Sequence, residues 1–364
     1  MRIAVLGVGL IGGSVGLAAR RRLGAEVAGF DPDAANLERG LELGVLDRGA
    51  TDVADAVDGA EVVFCAAPVS EMPALVAEAV GGCGPDTVVS DVGSTKRTLI
   101  AGLAEGRARE QFIGGHPLAG AETSGVENAR ADLFEGARWY LTPTDRSGGM
   151  HYDLLQRTVA ELGARPQAID ADTHDRLMAT VSHLPHVIAN VLVQEAATAL
   201  AEESERLPEV GPSFRDTTRV AGANPSIWED IYVANAGAVA DAIESVGARL
   251  RDAAALIRSG DPEQVGKWHR GAGEDRRRLL EAGMEGGALF ELRVAVENRP
   301  GTVAEIALAL GRARVNIEDM ALYPAADMRT GAITLWVAGE AEAVRAAEVV
   351  AGLGHGVSIV DGEG

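Results

Sequence analysis

Over the first 170 residues, short apolar runs alternate with segments of helical spacing. Residues 2–6 form a mostly apolar run, too short for a helix and closed by Gly7, which predicts a buried strand. Residues 11–23 place apolar positions at helical spacing, 25–30 give a second strand ending at Asp31, and about 33–43 a second helix. Residues 61–66 and 87–90 are further apolar strands. Strands alternating with helices predict a parallel sheet with right-handed crossovers. Residues 112–115, 139–142 and 166–169 are expected to extend it.

After Asp170 the pattern changes. Residues 171–282 carry long helical stretches, notably 180–205 and 227–257, with no strand signal, and 283–287 read as a linker. Beyond it, 289–296 alternates as a strand, 302–312 is an amphipathic helix, 315–323 and 331–338 are strands, 340–353 is a helix and 357–360 a last strand. That order is a ferredoxin-like β-α-β-β-α-β unit. The chain thus divides into an α/β domain with a doubly wound sheet at 1–170, an all-helical domain at 171–282 and a ferredoxin-like α+β domain at 288–364. The middle domain is thin for the apolar surface of its Ala- and Leu-rich helices, so a homodimer formed through it is expected.

The first strand runs into Gly7-Val8-Gly9-Leu10-Ile11-Gly12, a G-x-G-x-x-G turn that opens a helix. Gly7 permits the tight turn, Gly9 lets backbone approach a pyrophosphate, and Gly12 allows close helix–strand packing, as in Rossmann-type sites. The helix start offers amides to phosphate. Asp31 ends the second strand, where a carboxylate can accept both ribose hydroxyls and repel a 2′-phosphate. No Arg or Lys follows within residues 32–37 to hold that phosphate. NAD is therefore expected rather than NADP, with Gly7, Gly9, Leu10, Ile11, Gly12, Asp31, Pro68 and Ser94 as cofactor-binding residues. The alternative for Asp31 is a carboxylate capping the next helix.

The 364 residues suffice for two or three domains, each with its own core. Lys and Arg number 33 against 54 Asp and Glu, a net charge of −21. Such a charge repels nucleic-acid backbones and anionic lipid, which leaves a small-molecule partner. A hydrophobic share of 47% with 24% charged residues argues against disorder. Cys65 and Cys83 lack Cys-x-x-Cys spacing and read as buried thiols of a reducing compartment. The uncharged stretch 3–19 contains five glycines, and Arg20-Arg21-Arg22 stands where a signal cleavage site should lie. A cytoplasmic location is expected, and no stretch reads as a transmembrane helix.

Four later segments carry chemistry-bearing residues. They are Asp91-Val92-Gly93-Ser94-Thr95-Lys96, Gly114-Gly115-His116-Pro117-Leu118-Ala119-Gly120, Ser182-His183-Leu184-Pro185-His186 and Asp216-Thr217-Thr218-Arg219. Together with the Gly-rich opening, and in this order, they resemble the prephenate and arogenate dehydrogenase family of tyrosine biosynthesis over about residues 1–280. The terminal unit, with Glu297-Asn298-Arg299-Pro300-Gly301 before its first helix, resembles an ACT domain, a small-molecule sensing module.

The resemblance implies hydride transfer to NAD⁺ from the ring carbon bearing the 4-hydroxyl of prephenate, with loss of the ring carboxylate as CO₂. Aromatisation drives such a reaction, so the protein mainly positions groups and accepts charge. It implies His116 as the base that takes the hydroxyl proton, with Ser94 bonded to it and to the substrate. Without the resemblance His116 reads as a structural loop histidine and Ser94 as a helix N-cap. Arg219 is implied as the substrate-carboxylate partner, because a guanidinium grips a carboxylate bidentately; the alternative is a surface salt bridge with Asp216.

His186 is implied to face the substrate. His183 either supports the site or is a satisfied core histidine, and His174 is a further candidate for the same network. His183 and His186 also stand three apart as a metal pair would, but no third ligand has zinc-site spacing, so no metal is expected. Glu122 is a candidate for pairing with the ammonium of arogenate or for orienting Arg219. Trp228 reads as core packing.

In the terminal unit Asn298, Pro300, Gly301 and Asn316 are candidate effector-binding residues. Pro300 cannot donate to a sheet, Gly301 frees the backbone for close approach, and the helix start favours a carboxylate. Tyrosine is the expected feedback ligand and phenylalanine the second; the alternative is a turn that binds nothing. Prephenate is the leading substrate and arogenate the nearest alternative. A 3-hydroxyacid dehydrogenase would rely on a lysine in the helical domain, but Lys267, the only lysine after Lys96, sits near its end. A non-catalytic NAD and amino-acid sensor is the rival of another class, disfavoured by the His116, Ser94 and Arg219 set.

Overall fold

The computed structural model describes residues 1–120, 123–201, 210–281, 288–297, 299, 301–325 and 329–360. They form two compact units, Met1–Ala248 and Arg249–Gly364.

In the first unit, strands β1 (Arg2–Leu6), β2 (Glu26–Phe30), β3 (Arg48–Gly49), β4 (Val62–Cys65) and β5 (Val88–Asp91) make a parallel sheet of order β3-β2-β1-β4-β5. Ile3 pairs with Val27 on one side and Val62 on the other. Both faces are covered: Ile3, Val5 and Phe64 enter one core, Ala4, Leu6 and Val63 the other. That is why these strands read as continuous apolar runs. β3 is too short to leave such a run. The strand order reverses beside β1, and ligands of such sheets sit outside the carboxyl ends at that point.

β6 (Gly114–Pro117), β7 (Arg138–Thr142) and β8 (Arg165–Ala168) do not extend this sheet as expected from sequence. They form a second sheet, β6-β7-β8, in which β6 runs antiparallel to β7. One isolated bridge, Val89 to Phe112, leads from β5 toward it. Instead of a backbone ladder, the Asp91 side chain takes over: its Oδ1 accepts Gly115 N at 3.0 Å. Gly115 lies so close that a Cβ there would stand 2.4 Å from the Asp91 carbonyl oxygen.

Helix Leu10–Ala18 follows β1 and passes into a π-helical turn, Ala19–Leu23. Helix Ala34–Glu42 is capped by Asp33, which accepts Ala35 N, so the capping alternative for Asp31 does not hold. The helical segment comprises Ala171–Met178, a π-turn Ala179–His183, then Leu184–Ala201, Pro212–Thr217, Pro225–Ala234 and Ala236–Ser259. By length and composition, Ala171–Thr198 would suffice to cross a membrane, against the expectation that no stretch would. Its first turns hide the signal in sequence, because Asp172, Asp175 and Arg176 interrupt them. In the fold this helix buries His174, Asp175 and His183, and exposes Val181, Val191 and Val193.

In the second unit, β9 (Leu289–Glu297), β10 (Asp319–Pro324), β11 (Thr330–Ala338) and β12 (Gly356–Val360) form an antiparallel sheet of order β10-β11-β9-β12. Helices Thr302–Arg312 and Glu340–Gly352 pack Ile306, Leu310, Ala343 and Val350 against Leu292, Val294, Ile333 and Leu335. The β-α-β-β-α-β order matches the sequence pattern, except that the second strand starts at Asp319. Helix Pro262–Glu281 sets the Arg276 guanidinium over the Trp336 ring, 5.2 Å from its centroid. The linker expected at 283–287 lies outside the described residues.

Candidate active site

Gly7 has a φ of +101°, and a Cβ there would lie 2.4 Å from the Ala66 carbonyl oxygen. A Cβ on Gly12 would lie 2.0 Å from the Gly7 carbonyl oxygen, so both positions exclude a side chain. At Gly9 a Cβ would meet nothing within 4 Å, which leaves the turn's outer face open to a ligand. Leu10 and Ile11 begin the helix, with Gly9 at its cap and no side chain capping it. The first amides therefore point toward an anion site.

Asp31 stands beside this turn. Its Oδ2 accepts Val8 N at 2.7 Å and its Oδ1 accepts Asp33 N at 2.9 Å. The carboxylate so braces the Gly-rich turn from the end of β2. Pro68, after β4, accepts the amides of Glu71 and Met72 at 3.0 and 3.2 Å and starts the next helix. The open Gly9 face, the uncapped helix and the carboxylate at the strand end together fit a dinucleotide.

His116 lies on β6 opposite Tyr140. Its Nδ1 is 2.9 Å from His174 Nε2, and His174 Nδ1 is 2.8 Å from Asp175 Oδ1. Asp175 in turn accepts Lys96 N at 2.8 Å and Arg97 N at 2.9 Å. Lys96 Nζ donates to Asp91, both side chains being wholly buried. The helix Arg97–Ala101 has Lys96 at its cap, so Ser94 is not the N-cap that local sequence suggested. Asp175, from a distant helix, satisfies those amides instead. Ser94 sits half-buried on the loop between β5 and this helix, and among the described residues makes no side-chain hydrogen bond to His116.

Asn235 links this cluster to His183. Its Nδ2 donates to the Asp175 carbonyl at 2.8 Å and lies 3.2 Å from His183 Nδ1. Trp228 stacks on His186 with ring centroids 3.6 Å apart and meets His183 edge-on at 6.0 Å. It is therefore a platform between two histidines rather than the core residue expected. The physical reason is that its helix, Pro225–Ala234, buries only Ile231. Arg219, exposed just beyond helix Pro212–Thr217, acts electrostatically on His186. A cleft of about 380 Å³ is lined by His186, Asn190, Trp228 and Tyr232, and another of about 400 Å³ by Met72, Gly93, Thr95 and Asp230.

Burial, then the neighbouring His174, Lys96 and His183, hold His116 well below the usual histidine range. Burial pushes His183 down to about 4, against the pull of Asp175. Burial and then the Arg219 charge lower His186. Burial alone would raise the Asp175 carboxyl, but hydrogen bonds from His174 and from the Arg97 and Lys96 amides outweigh it and hold the group below its ordinary value. The three histidines are thus neutral near pH 7.

A family model for the prephenate dehydrogenase nucleotide-binding domain matches residues 15–168. Another, for the prephenate dehydrogenase dimerization domain, matches residues 170–270. The chain belongs to the prephenate dehydrogenase family. A prephenate dehydrogenase of Bacillus subtilis is 30% identical over 87% of this chain and 87% of its own length. A cyclohexadienyl dehydrogenase of Zymomonas mobilis is 32% identical over 72% of this chain and 90% of its own. Among solved structures, prephenate dehydrogenase from Aquifex aeolicus, in complex with hydroxyphenyl propionate and NAD⁺, superposes with a TM-score of 0.72 at 29% identity. It covers 77% of this chain and 98% of its own. Synechocystis arogenate dehydrogenase gives 0.68 at 27% identity, covering 77% of this chain and all of its own.

In this prephenate dehydrogenase family member, one connected cluster holds His116, His174, His183, His186 and Arg219. Glu122 lies outside the described residues. Asp175 and Asn235 were missed from sequence. The only local signal was an aspartate directly after a candidate histidine; for Asn235 there was none, because its partners lie 52 and 60 residues away.

Proposed function

We propose that this enzyme oxidises prephenate to 4-hydroxyphenylpyruvate and CO₂ with NAD⁺. The observation that carries the reading is His116, standing beside the carboxyl end of the nucleotide-binding sheet and linked through buried His174, Asp175, Asn235 and His183 to the half-buried Trp228 and His186, on which the Arg219 charge acts. NAD⁺, when bound against Gly7, Gly9, Leu10, Ile11, Gly12, Asp31 and Pro68, supplies the hydride acceptor. His116 takes the hydroxyl proton on Nε2, and Ser94 orients that hydroxyl from the neighbouring loop. Arg219 holds a substrate carboxylate, with His186 and the Trp228 face beside it and His183 fixing their positions. The enzyme so binds a dianion despite its overall negative charge.

The test is turnover with prephenate and arogenate, each offered with NAD⁺ and NADP⁺. Prephenate with NAD⁺ is expected to give the highest kcat/KM. Arogenate is the second reading, favoured by the likeness to Synechocystis arogenate dehydrogenase; a higher kcat/KM on arogenate would replace the first.

The division into domains 1–170, 171–282 and 288–364 belongs to the same reading. The helical part joins two copies into a homodimer, and exposed Val181, Val191, Val193 and Val233 supply apolar surface for it. Buried Cys65 and Cys83 are free thiols, in keeping with a cytoplasmic location. The terminal unit acts as an ACT-type sensor for tyrosine. Supporting this, Gly301 has φ +95° and caps helix Thr302–Arg312 with no side chain over its amides. Asn316 Nδ2 donates to Glu318 at 2.7 Å, while Asn298 and Pro300 lie outside the described residues. Tyrosine is expected to inhibit the full chain, and Asn316→Ala to weaken that response with KM unchanged.

A further inference from the structure

We infer that His174 and Asp175 are positioning residues that fix the proton on His116 Nδ1 and so present its Nε2 lone pair to the substrate hydroxyl. This rests on the reading of His116 as the base. The order of donors follows from the far end. Asp175 already accepts two backbone amides, Lys96 N and Arg97 N. A carboxylate so placed is ionised and can only accept, so His174 must carry its proton on Nδ1, 2.8 Å away. His174 Nε2 is then a lone pair. Facing it at 2.9 Å, His116 Nδ1 has to be the donor. With both rings neutral, one proton arrangement satisfies all three side chains, and it leaves His116 Nε2 as the basic atom.

Rigid surroundings keep the arrangement in register. Both His174 and Asp175 are wholly buried on helix Ala171–Met178. The Tyr140 ring meets His174 edge-on at 5.6 Å, and Asn235 ties down the Asp175 carbonyl. Lys96 pairs with Asp91, and its charge and His183, on the adjoining π-turn, both act on His116. When the substrate hydroxyl gives its proton to Nε2, His116 gains one positive charge. Its Nδ1 hydrogen stays in place, donated to His174 Nε2. Asp175 supplies the compensating negative charge through His174 Nδ1.

The experiment is ¹⁵N NMR of histidine side chains in the intact protein with NAD⁺ at neutral pH, with the seven histidines assigned by single substitution. His116 and His174 are both expected as neutral Nδ1–H tautomers, whereas free histidine prefers Nε2–H. His174→Phe removes the acceptor, so His116 is expected to revert to Nε2–H and kcat to fall by about two orders of magnitude. NAD⁺ affinity and the KM for prephenate are expected to stay within about threefold. His174→Gln keeps an acceptor oxygen and is expected to restore both the Nδ1–H tautomer and most of kcat. An Nε2–H tautomer of His116 in the wild type would overturn the inference without any variant. So would a His174→Phe protein that keeps kcat. If the wild type turns over neither prephenate nor arogenate, the functional reading fails, while the tautomer measurement still decides the positioning.

Discussion

The two ends of the candidate site are built differently. At the His116 end, both buried carboxylates are answered: Asp91 by Lys96 and two amides, Asp175 by His174 and two more. At the Arg219 end, Trp228 is part-exposed, and Arg219, just beyond the short helix Pro212–Thr217, faces solvent. A proton acceptor gains from fixed surroundings, because reorganisation at the moment of reaction is avoided. A binding group tolerates exposure, and its surface is completed by whatever covers it. The contrast agrees with the proposed roles, chemistry at the first end and recognition at the second.

The comparison breaks first at His116. Replacing it by Asn is expected to lower kcat by about two to four orders of magnitude, the usual worth of general acid–base catalysis. NAD⁺ affinity should barely move, as a titration of cofactor fluorescence would show. Arg219→Ala tests the other end and should act on KM. One exposed charge-assisted contact is worth about 1.5–2 kcal/mol, or roughly a tenfold to thirtyfold rise in KM. An equal loss in kcat would mean that the two ends are not separate.

Smaller effects sharpen the picture. Asp31→Ser removes the carboxylate proposed to oppose a 2′-phosphate and should narrow the preference for NAD⁺ over NADP⁺ by roughly tenfold, about 1.4 kcal/mol. The acid limb of the pH profile for kcat/KM should lie below pH 6.5, because burial holds His116 neutral there; a limb above that value would contradict the buried base. Stability carries the same sign. His183 titrates near 4 in the folded chain and near 6.5 when unfolded. The unfolded chain therefore binds more protons between these values, and stability falls as pH drops through that window. Melting curves from pH 7 to 5 should show a falling Tm, with a shallower slope in His183→Gln.

Much of this fold was legible because the strands of a doubly covered sheet leave apolar runs that need no partner to be seen. β1, β2, β4 and β5 fell where 2–6, 25–30, 61–66 and 87–90 predicted them. The second sheet was not legible, since whether β6 joins β5 depends on Asp91 reaching Gly115, a contact across 24 residues. Sequence motifs led to His116, His183, His186 and Arg219 as single residues. What joins them was hidden. Asp175 looks like a solvent-facing helix residue until its amide partners on Lys96 and Arg97 are in place. Trp228 looks like core until its helix is seen to bury almost nothing else. Ser94 looks like a cap until the helix is found to begin three residues later.

The most direct test mixes prephenate with NAD⁺ and follows reduced cofactor and released CO₂ together, for the wild type and for His116→Asn at equal cofactor occupancy. The wild type should give one reduced cofactor per CO₂, and the variant should give both at a rate lower by about two orders of magnitude or more. Reduction without CO₂ release, or a variant as fast as the wild type, would contradict the assignment of oxidative decarboxylation to the His116 end of the site.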